Sequence, residues 1–332
     1  MHKQDGKVKL EFIRYVMKPQ QLHIQTPLIE SKALSIGITG TVWLKMEALQ
    51  PTGSFKLRGI GRACLTRIAK GATTLVSSSG GNAGIAVAYC GRRLGVPVTV
   101  VVPESTPQTA IARIRLENAQ VVIKGRTWME AHQYSLGMAG SGCAYIHPFD
   151  DPLLWEGHST IIDETLQAGL VPDIVVLSVG GGGLLCGIIQ GLRASGLDEV
   201  PVLAVETRGA HSLMASIQAG ELVELADITS IATSLGAKKV ADQAFQWTRR
   251  HPVIGHCVSD RQAVDACVAF ADQHHLLVEP ACGASLSVQL HPPACLADKE
   301  NIMVVVCGGA GVNLEQLCRW KQKRIQTEKG MP

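Results

Sequence analysis

Between Thr41 and about Lys323, short apolar runs alternate with longer stretches whose apolar residues recur every three or four positions. The short runs predict strands at Thr41–Glu47, Thr73–Ser77, Val98–Val102, Gln120–Ile123, Cys143–Ile146, Ile174–Val179, Val202–Val205, Ile254–Val258 and Ile302–Val306. The longer stretches predict a helix entered near Lys56 and running through Ile68, with others at Asn82–Leu94, Thr109–Asn118, Trp155–Gln167, Gly183–Ala194, Arg261–His274 and Leu314–Lys323. Runs such as Ile174–Leu177 and Ile302–Val306 lack polar alternation, so those strands are expected to be covered on both faces, as in a parallel sheet. Repeated strand–helix alternation predicts an open α/β architecture with right-handed crossovers. At 332 residues the chain is long enough for two lobes. The turn-rich patch Pro148–Pro152 is the expected boundary, giving a small lobe over 51–150 and a large lobe over 1–50 and 151–332.

Composition narrows the function. A formal charge of +3 without a Lys/Arg block leaves no basic footprint for nucleic acid. No run approaches the roughly 20 apolar residues of a membrane span, and Met1–Gln21 has no apolar core of the secretory kind. The 10 cysteines form no C-x-x-C pair and no zinc spacing. In a chain of this length they read as reduced thiols of a cytosolic protein.

Four places carry chemistry. Lys56, in Pro51-Thr-Gly-Ser-Phe-Lys-Leu-Arg-Gly59, follows helix-start signals at Pro51, Thr52 and Ser54. Near a helix N-terminus the macrodipole disfavours an ammonium, and an amine that deprotonates easily can form an imine with an aldehyde cofactor. Ser77-Ser-Ser-Gly-Gly-Asn-Ala-Gly84 follows a strand and opens a helix, so its hydroxyls and N–H groups can hold an anion such as a carboxylate, with Asn82 in the first turn. Ser178-Val-Gly-Gly-Gly-Gly-Leu184 exposes successive N–H groups after a buried strand, which suits a phosphate. It lacks G-K-[S/T], and Leu185 breaks the last position of the dinucleotide fingerprint, so a short phosphorylated cofactor fits better than a nucleotide. Val305-Val-Cys-Gly-Gly-Ala-Gly311 ends another buried strand and puts Cys307 at the same rim.

These segments in this order resemble the serine/threonine dehydratase family of fold-type II pyridoxal-phosphate enzymes, closest to its serine dehydratase and serine dehydratase-like branch. Pro148-Phe-Asp-Asp-Pro-Leu-Leu-Trp-Glu-Gly-His158 and Val278-Glu-Pro-Ala-Cys-Gly-Ala284 add to the likeness, which runs from about Leu22 to Leu317. The resemblance implies two open parallel-sheet domains, similar to the tryptophan synthase β chain, with the active site in the cleft between them. It implies that Lys56 holds pyridoxal 5'-phosphate, with Phe55 on the ring face and Asn82 on the ring hydroxyl oxygen. Gly180, Gly181, Gly182, Gly183 and Leu184 would cradle the phosphate, and Cys307 would face the pyridine nitrogen. Ser79, Gly80 and Ala83 would lie at the carboxylate of a small amino-acid substrate. A thiol holds the ring nitrogen protonated less firmly than an acid does, which favours rapid β-elimination over transamination. The implied reaction takes L-serine or L-threonine to pyruvate or 2-oxobutanoate and ammonia. Lys56 would be the base at Cα and the cofactor phosphate the acid at the leaving hydroxyl.

The resemblance further suggests a potassium site at Glu206, with oxygens of Ala210, Ser212, Leu235 and Ala237, because oxygen-only ligands suit a hard cation. It also suggests a homodimer. A racemase or β-replacement enzyme of the same fold and a non-catalytic ligand sensor are the rival readings. Gly80 replaces the alanine frequent in the serine dehydratase branch; a methyl there is expected to crowd the substrate, so glycine predicts looser positioning and low activity.

Overall fold

The computed structural model describes residues 21–329, so the two ends of the expected large lobe, 1–20 and 330–332, lie outside the described residues. In chain order the elements are β1 (Leu28–Glu30), α1 (Lys32–Ser35), β2 (Thr41–Lys45), α2 (Lys56–Ala69), β3 (Thr74–Ser77), α3 (Asn82–Leu94), β4 (Val98–Val102), α4 (Gln108–Leu116), β5 (Gln120–Ile123), α5 (Trp128–Met138) and β6 (Cys143–Tyr145). There follow α6 (Pro152–Gln167), β7 (Ile174–Ser178), α7 (Gly183–Ala194), β8 (Val202–Thr207), α8 (Ser212–Ala219), α9 (Asp242–Arg250), β9 (Val253–Val258), α10 (Asp260–His274), α11 (Pro280–Ser287), β10 (Asn301–Val305) and α12 (Leu314–Lys329).

The strands form two sheets. One has the order β1-β2-β10-β7-β8-β9 and is parallel except for β1, which pairs antiparallel with β2 at the edge. The other, β5-β4-β3-β6, is parallel throughout. The apolar runs behave as their composition predicts: every residue of β7 and of β8 is buried. The predicted set did not include β1, α1, α5, α8, α9 or α11, and two of these show opposite reasons. β1 is too short for an alternation to be legible, and α11 is buried along its whole length, so it has no polar face to set against an apolar one.

Helix α2 is placed by close backbone approach and by charge. An added Cβ at Gly157 would stand 2.6 Å from the Gly59 Cα, and one at Gly59 would stand 2.5 Å from the Leu154 carbonyl oxygen. Glycine at both positions lets α2 and α6 touch main chain to main chain. One residue before Gly59, the fully buried guanidinium of Arg58 bonds Glu47 through Nε at 2.7 Å and Nη2 at 2.8 Å, and Glu164 through Nη1 at 2.7 Å and Nη2 at 2.6 Å. Lys45 adds its amine to Glu164 at 2.5 Å and to the Thr26 carbonyl at 2.8 Å. Two carboxylates thus face two cations where water is nearly excluded. Such a set contributes little net stability when complete and is costly when one member is lost.

Arg58→Leu should therefore destabilise the fold by about 3–5 kcal/mol in urea unfolding, because it leaves buried carboxylates without a partner. Removing the exposed Arg62–Glu156 pair, with side chains 51% and 53% exposed, should cost less than about 1 kcal/mol.

Candidate functional site

The start of α2 is tied to the end of β10 through the backbone. Ser54 and Gly308 form an isolated antiparallel bridge, the Phe55 amide donates to the Cys307 carbonyl at 3.2 Å, and the Gly309 amide donates to the Gly53 carbonyl at 2.8 Å. Gly308, at φ +88°, has no room for a side chain, since a Cβ would meet the Gly53 oxygen at 2.2 Å. This splice brings Lys56 and Cys307 to one rim.

Lys56 is the first residue of α2. Its amine donates to the Pro148 carbonyl at 2.7 Å and lies 5.1 Å from the Phe55 ring centroid. Burial pushes its pKa down to about 8, opposed by Cys307 and Glu279. The direction is the one expected from sequence, but loss of hydration is the main cause rather than the helix dipole. The expected capping is also absent: Phe55 is the N-cap and offers no side-chain bond, and the hydroxyls of Thr52 and Ser54 are buried without a partner. Orphaned hydroxyls in the turn that leads into Lys56 are what a polar ligand would satisfy.

Asn82 begins α3 and crosses to the larger sheet's side. Its Oδ1 accepts the Ala310 amide at 2.9 Å, and its Nδ2 donates to Glu279 at 2.8 Å. One Nδ2 hydrogen remains for a ligand, apart from a long contact of 3.5 Å to Ser234. Glu279 is buried and also accepts the Gly311 amide at 3.0 Å; burial holds its carboxyl above the ordinary range against these bonds. At Cys307 a hydrogen bond with Cys282, then burial, hold the thiol well above its ordinary pKa, so it stays protonated at neutral pH.

The amides of Gly180, Gly181, Gly182, Gly183 and Leu184 donate to no protein group among the described residues. Gly182 sits at φ +86° as the N-cap of α7, a conformation that favours glycine. An added Cβ at Gly181 would strike the Phe149 ring at 2.2 Å, and one at Gly183 the Phe149 carbonyl oxygen at 2.6 Å. Backbone donors left open at a helix N-terminus fit a phosphate, so the residues present suit a phosphorylated cofactor.

In the serine loop, Ser79 Oγ accepts the Gly81 amide at 3.3 Å and Ala83 is buried in the first turn of α3. Gly80 follows Ser79 in the same loop. A Cβ there would stand 2.7 Å from Thr106 Cγ2 and 3.4 Å from Val102 Cγ1, so a methyl at this position would press on Thr106 of the protein itself.

Around Glu206, on β8, both carboxylate oxygens accept amides at the start of α8, from Leu213 at 2.9 Å and Met214 at 2.7 Å. Burial raises its pKa to about 7. The neighbouring Ser212 hydroxyl is buried without a partner, and the Ala210 amide donates to Thr207. Leu235 and Ala237 lie in a turn whose Leu235 Cα would be 2.9 Å from a Cβ on Gly180, at the end of the adjacent strand. A carboxylate with no paired cation beside an orphaned hydroxyl suits a hard cation. No cluster of three or more His, Cys, Asp or Glu able to hold a metal occurs among the described residues.

Sequence reasoning missed Glu279, Cys282, Phe149 and the Pro148 carbonyl. Glu279 lies in a motif already noted but has no spacing signature, and a backbone acceptor has no sequence signature at all.

Labelling of Lys56 by a small amine-reactive reagent should rise with pH about a midpoint near 8, where an ordinary lysine titrates near 10.5. Peptide mapping after timed labelling reads this directly.

A family model described as pyridoxal-phosphate dependent enzyme matches residues 20–308. L-serine dehydratase/L-threonine deaminase of Mus musculus is 45% identical over 311 residues, covering 90% of this chain and 94% of that protein. Serine dehydratase-like of Homo sapiens is also 45% identical, with the same coverage. Among solved structures, a fungal L-serine ammonia-lyase from Rhizomucor miehei aligns with a TM-score of 0.86 at 36% identity, over 92% of this chain and 99% of that one. On these grounds, and with a lysine amine, an open phosphate-type glycine loop and a thiol at one rim, the chain belongs to the family of pyridoxal-phosphate dependent enzymes.

Proposed function

We propose that the protein is an L-serine and L-threonine ammonia-lyase that eliminates the β-hydroxyl to give pyruvate or 2-oxobutanoate and ammonia. The observation that carries this reading is the Lys56 amine, depressed to about 8 and held at the Pro148 carbonyl, in a site that also presents five open amides. The names of the relatives at 45% identity support the same substrates.

In this reading Gly180 to Leu184 bind the phosphate of pyridoxal phosphate, Phe55 lies on the ring, the free Nδ2 hydrogen of Asn82 meets the ring oxygen, and the Cys307 thiol faces the ring nitrogen. When bound, the cofactor supplies the aldehyde that captures the substrate amine and the ring that draws electron density from Cα. Ser79, Gly80 and Ala83 orient the substrate carboxylate. Lys56, once free, takes the Cα proton, and a pKa near 8 leaves a useful neutral fraction at neutral pH. A neutral Cys307 thiol suits the expulsion of a leaving group, because the ring nitrogen is not held as a cation. Potassium would sit against Glu206, Ala210, Ser212, Leu235 and Ala237. The reading includes a homodimer in the reducing cytosol, and ten free thiols support that compartment.

Loaded with pyridoxal phosphate, the wild type should show visible absorbance and release keto acid from L-serine. Lys56→Ala should lose both; keto-acid release by that variant, or D-serine in place of keto acid from the wild type, would contradict the assignment. Potassium chloride should raise the melting temperature above that in tetramethylammonium chloride of equal ionic strength, since a cation that binds the native state stabilises it. Glu206→Gln should remove that difference.

A further inference from the structure

Between β6 and α6 the chain turns through His147-Pro148-Phe149-Asp150. His147 Nδ1 accepts two backbone amides, from Phe149 at 3.2 Å and Asp150 at 2.7 Å. A ring nitrogen that accepts cannot carry a proton, so the imidazole is neutral with its hydrogen on Nε2. Burial first, then His132 and Lys56, push its pKa down to about 3, so this form holds throughout the neutral range. The ring is wedged edge-on against Phe149 at 4.7 Å, His132 at 5.6 Å and Tyr145 at 6.0 Å. His132 is itself fixed, stacked on Trp128 at 4.8 Å and bonded through Nδ1 to the Tyr145 hydroxyl at 2.7 Å.

The turn holds two things the site needs. Its Pro148 carbonyl accepts the Lys56 amine, and its Phe149 packs on Gly181 of the open glycine loop. Proline has no N–H, and no backbone carbonyl within the turn accepts the Phe149 or Asp150 amide, so the His147 side chain supplies the bonds that close it. We propose that His147 is a positioning residue: its Nδ1 fixes the turn so that the Pro148 carbonyl receives the Lys56 amine whenever that amine is free. The claim rests on the ammonia-lyase reading and deepens it. The amine is the base at Cα, so its resting place between proton transfers decides whether it meets the substrate hydrogen.

The test compares two substitutions. Asparagine can replace the acceptor, because its side-chain oxygen caps the amides that follow it in a turn. Leucine fills similar volume and accepts nothing. In the holoenzyme, His147→Leu should lower kcat on the order of a hundredfold, the cost of misplacing a reacting group by about an ångström, with KM for L-serine unchanged. In the cofactor-free protein, the rate at which pyridoxal phosphate becomes bound to Lys56 at pH 8 should fall in the same variant. His147→Asn should restore both. Nitrogen-15 NMR of the wild type should show Nδ1 unprotonated from pH 6 to 8, a readout independent of whether His147→Leu folds. A protonated Nδ1, a leucine variant with wild-type kcat and uptake, or an asparagine variant as impaired as the leucine one would each overturn the proposal. A wild type that takes up no pyridoxal phosphate overturns the ammonia-lyase reading itself, which keeps the two failures distinct.

Discussion

Backbone hydrogen bonding between the Gly53–Phe55 turn and the Cys307–Gly309 turn is the constraint on which the rest depends. It joins the residues leading into α2 to the end of β10, two points far apart in the chain, and it leaves no room for a side chain at Gly308. The Arg58 network then fixes the same helix from behind, and the Gly59–Gly157 contact sets its distance from α6. Lys56 therefore leaves a rigid mount. A reactive amine on a mobile loop would lose much of the gain that comes from positioning.

The same packing sets the electrostatics. The surrounding protein strips water from the Lys56 amine, and no carboxylate bonds it directly, so desolvation prevails and the pKa falls. Glu279 is close enough to oppose the shift, yet it spends its oxygens on Asn82 and the Gly311 amide. Cys307, bonded to Cys282, stays a thiol. The rim thus combines an amine that can be neutral, a neutral thiol and a row of uncommitted amides, which is a site for an anionic, aldehyde-bearing cofactor more than for a metal.

Much of this was legible in the sequence. The continuous apolar runs of β7 and β10 announced a parallel sheet, and the bounds of α3 and α7 follow from the glycine-rich loops that open them. Lys56, Asn82, the glycine loop and Cys307 each sit at the end of a strand or the start of a helix, where local pattern points. What stayed hidden depends on tertiary contact. Glu47, Arg58 and Glu164 look like solvated charges until burial pairs them. Glu279 and His147 act through backbone amides, for which residue type gives no cue, and the direction of a Gly80 side chain toward Thr106 requires coordinates.

The central claim is that one amine, the Lys56 Nζ, is where pyridoxal phosphate becomes attached. Borohydride reduction of the cofactor-loaded protein would fix the attachment permanently, and peptide mass mapping would locate it. The account predicts a single pyridoxyl group on the peptide containing Lys56. A modification spread over surface lysines, or one stoichiometric label on any other lysine, would contradict it.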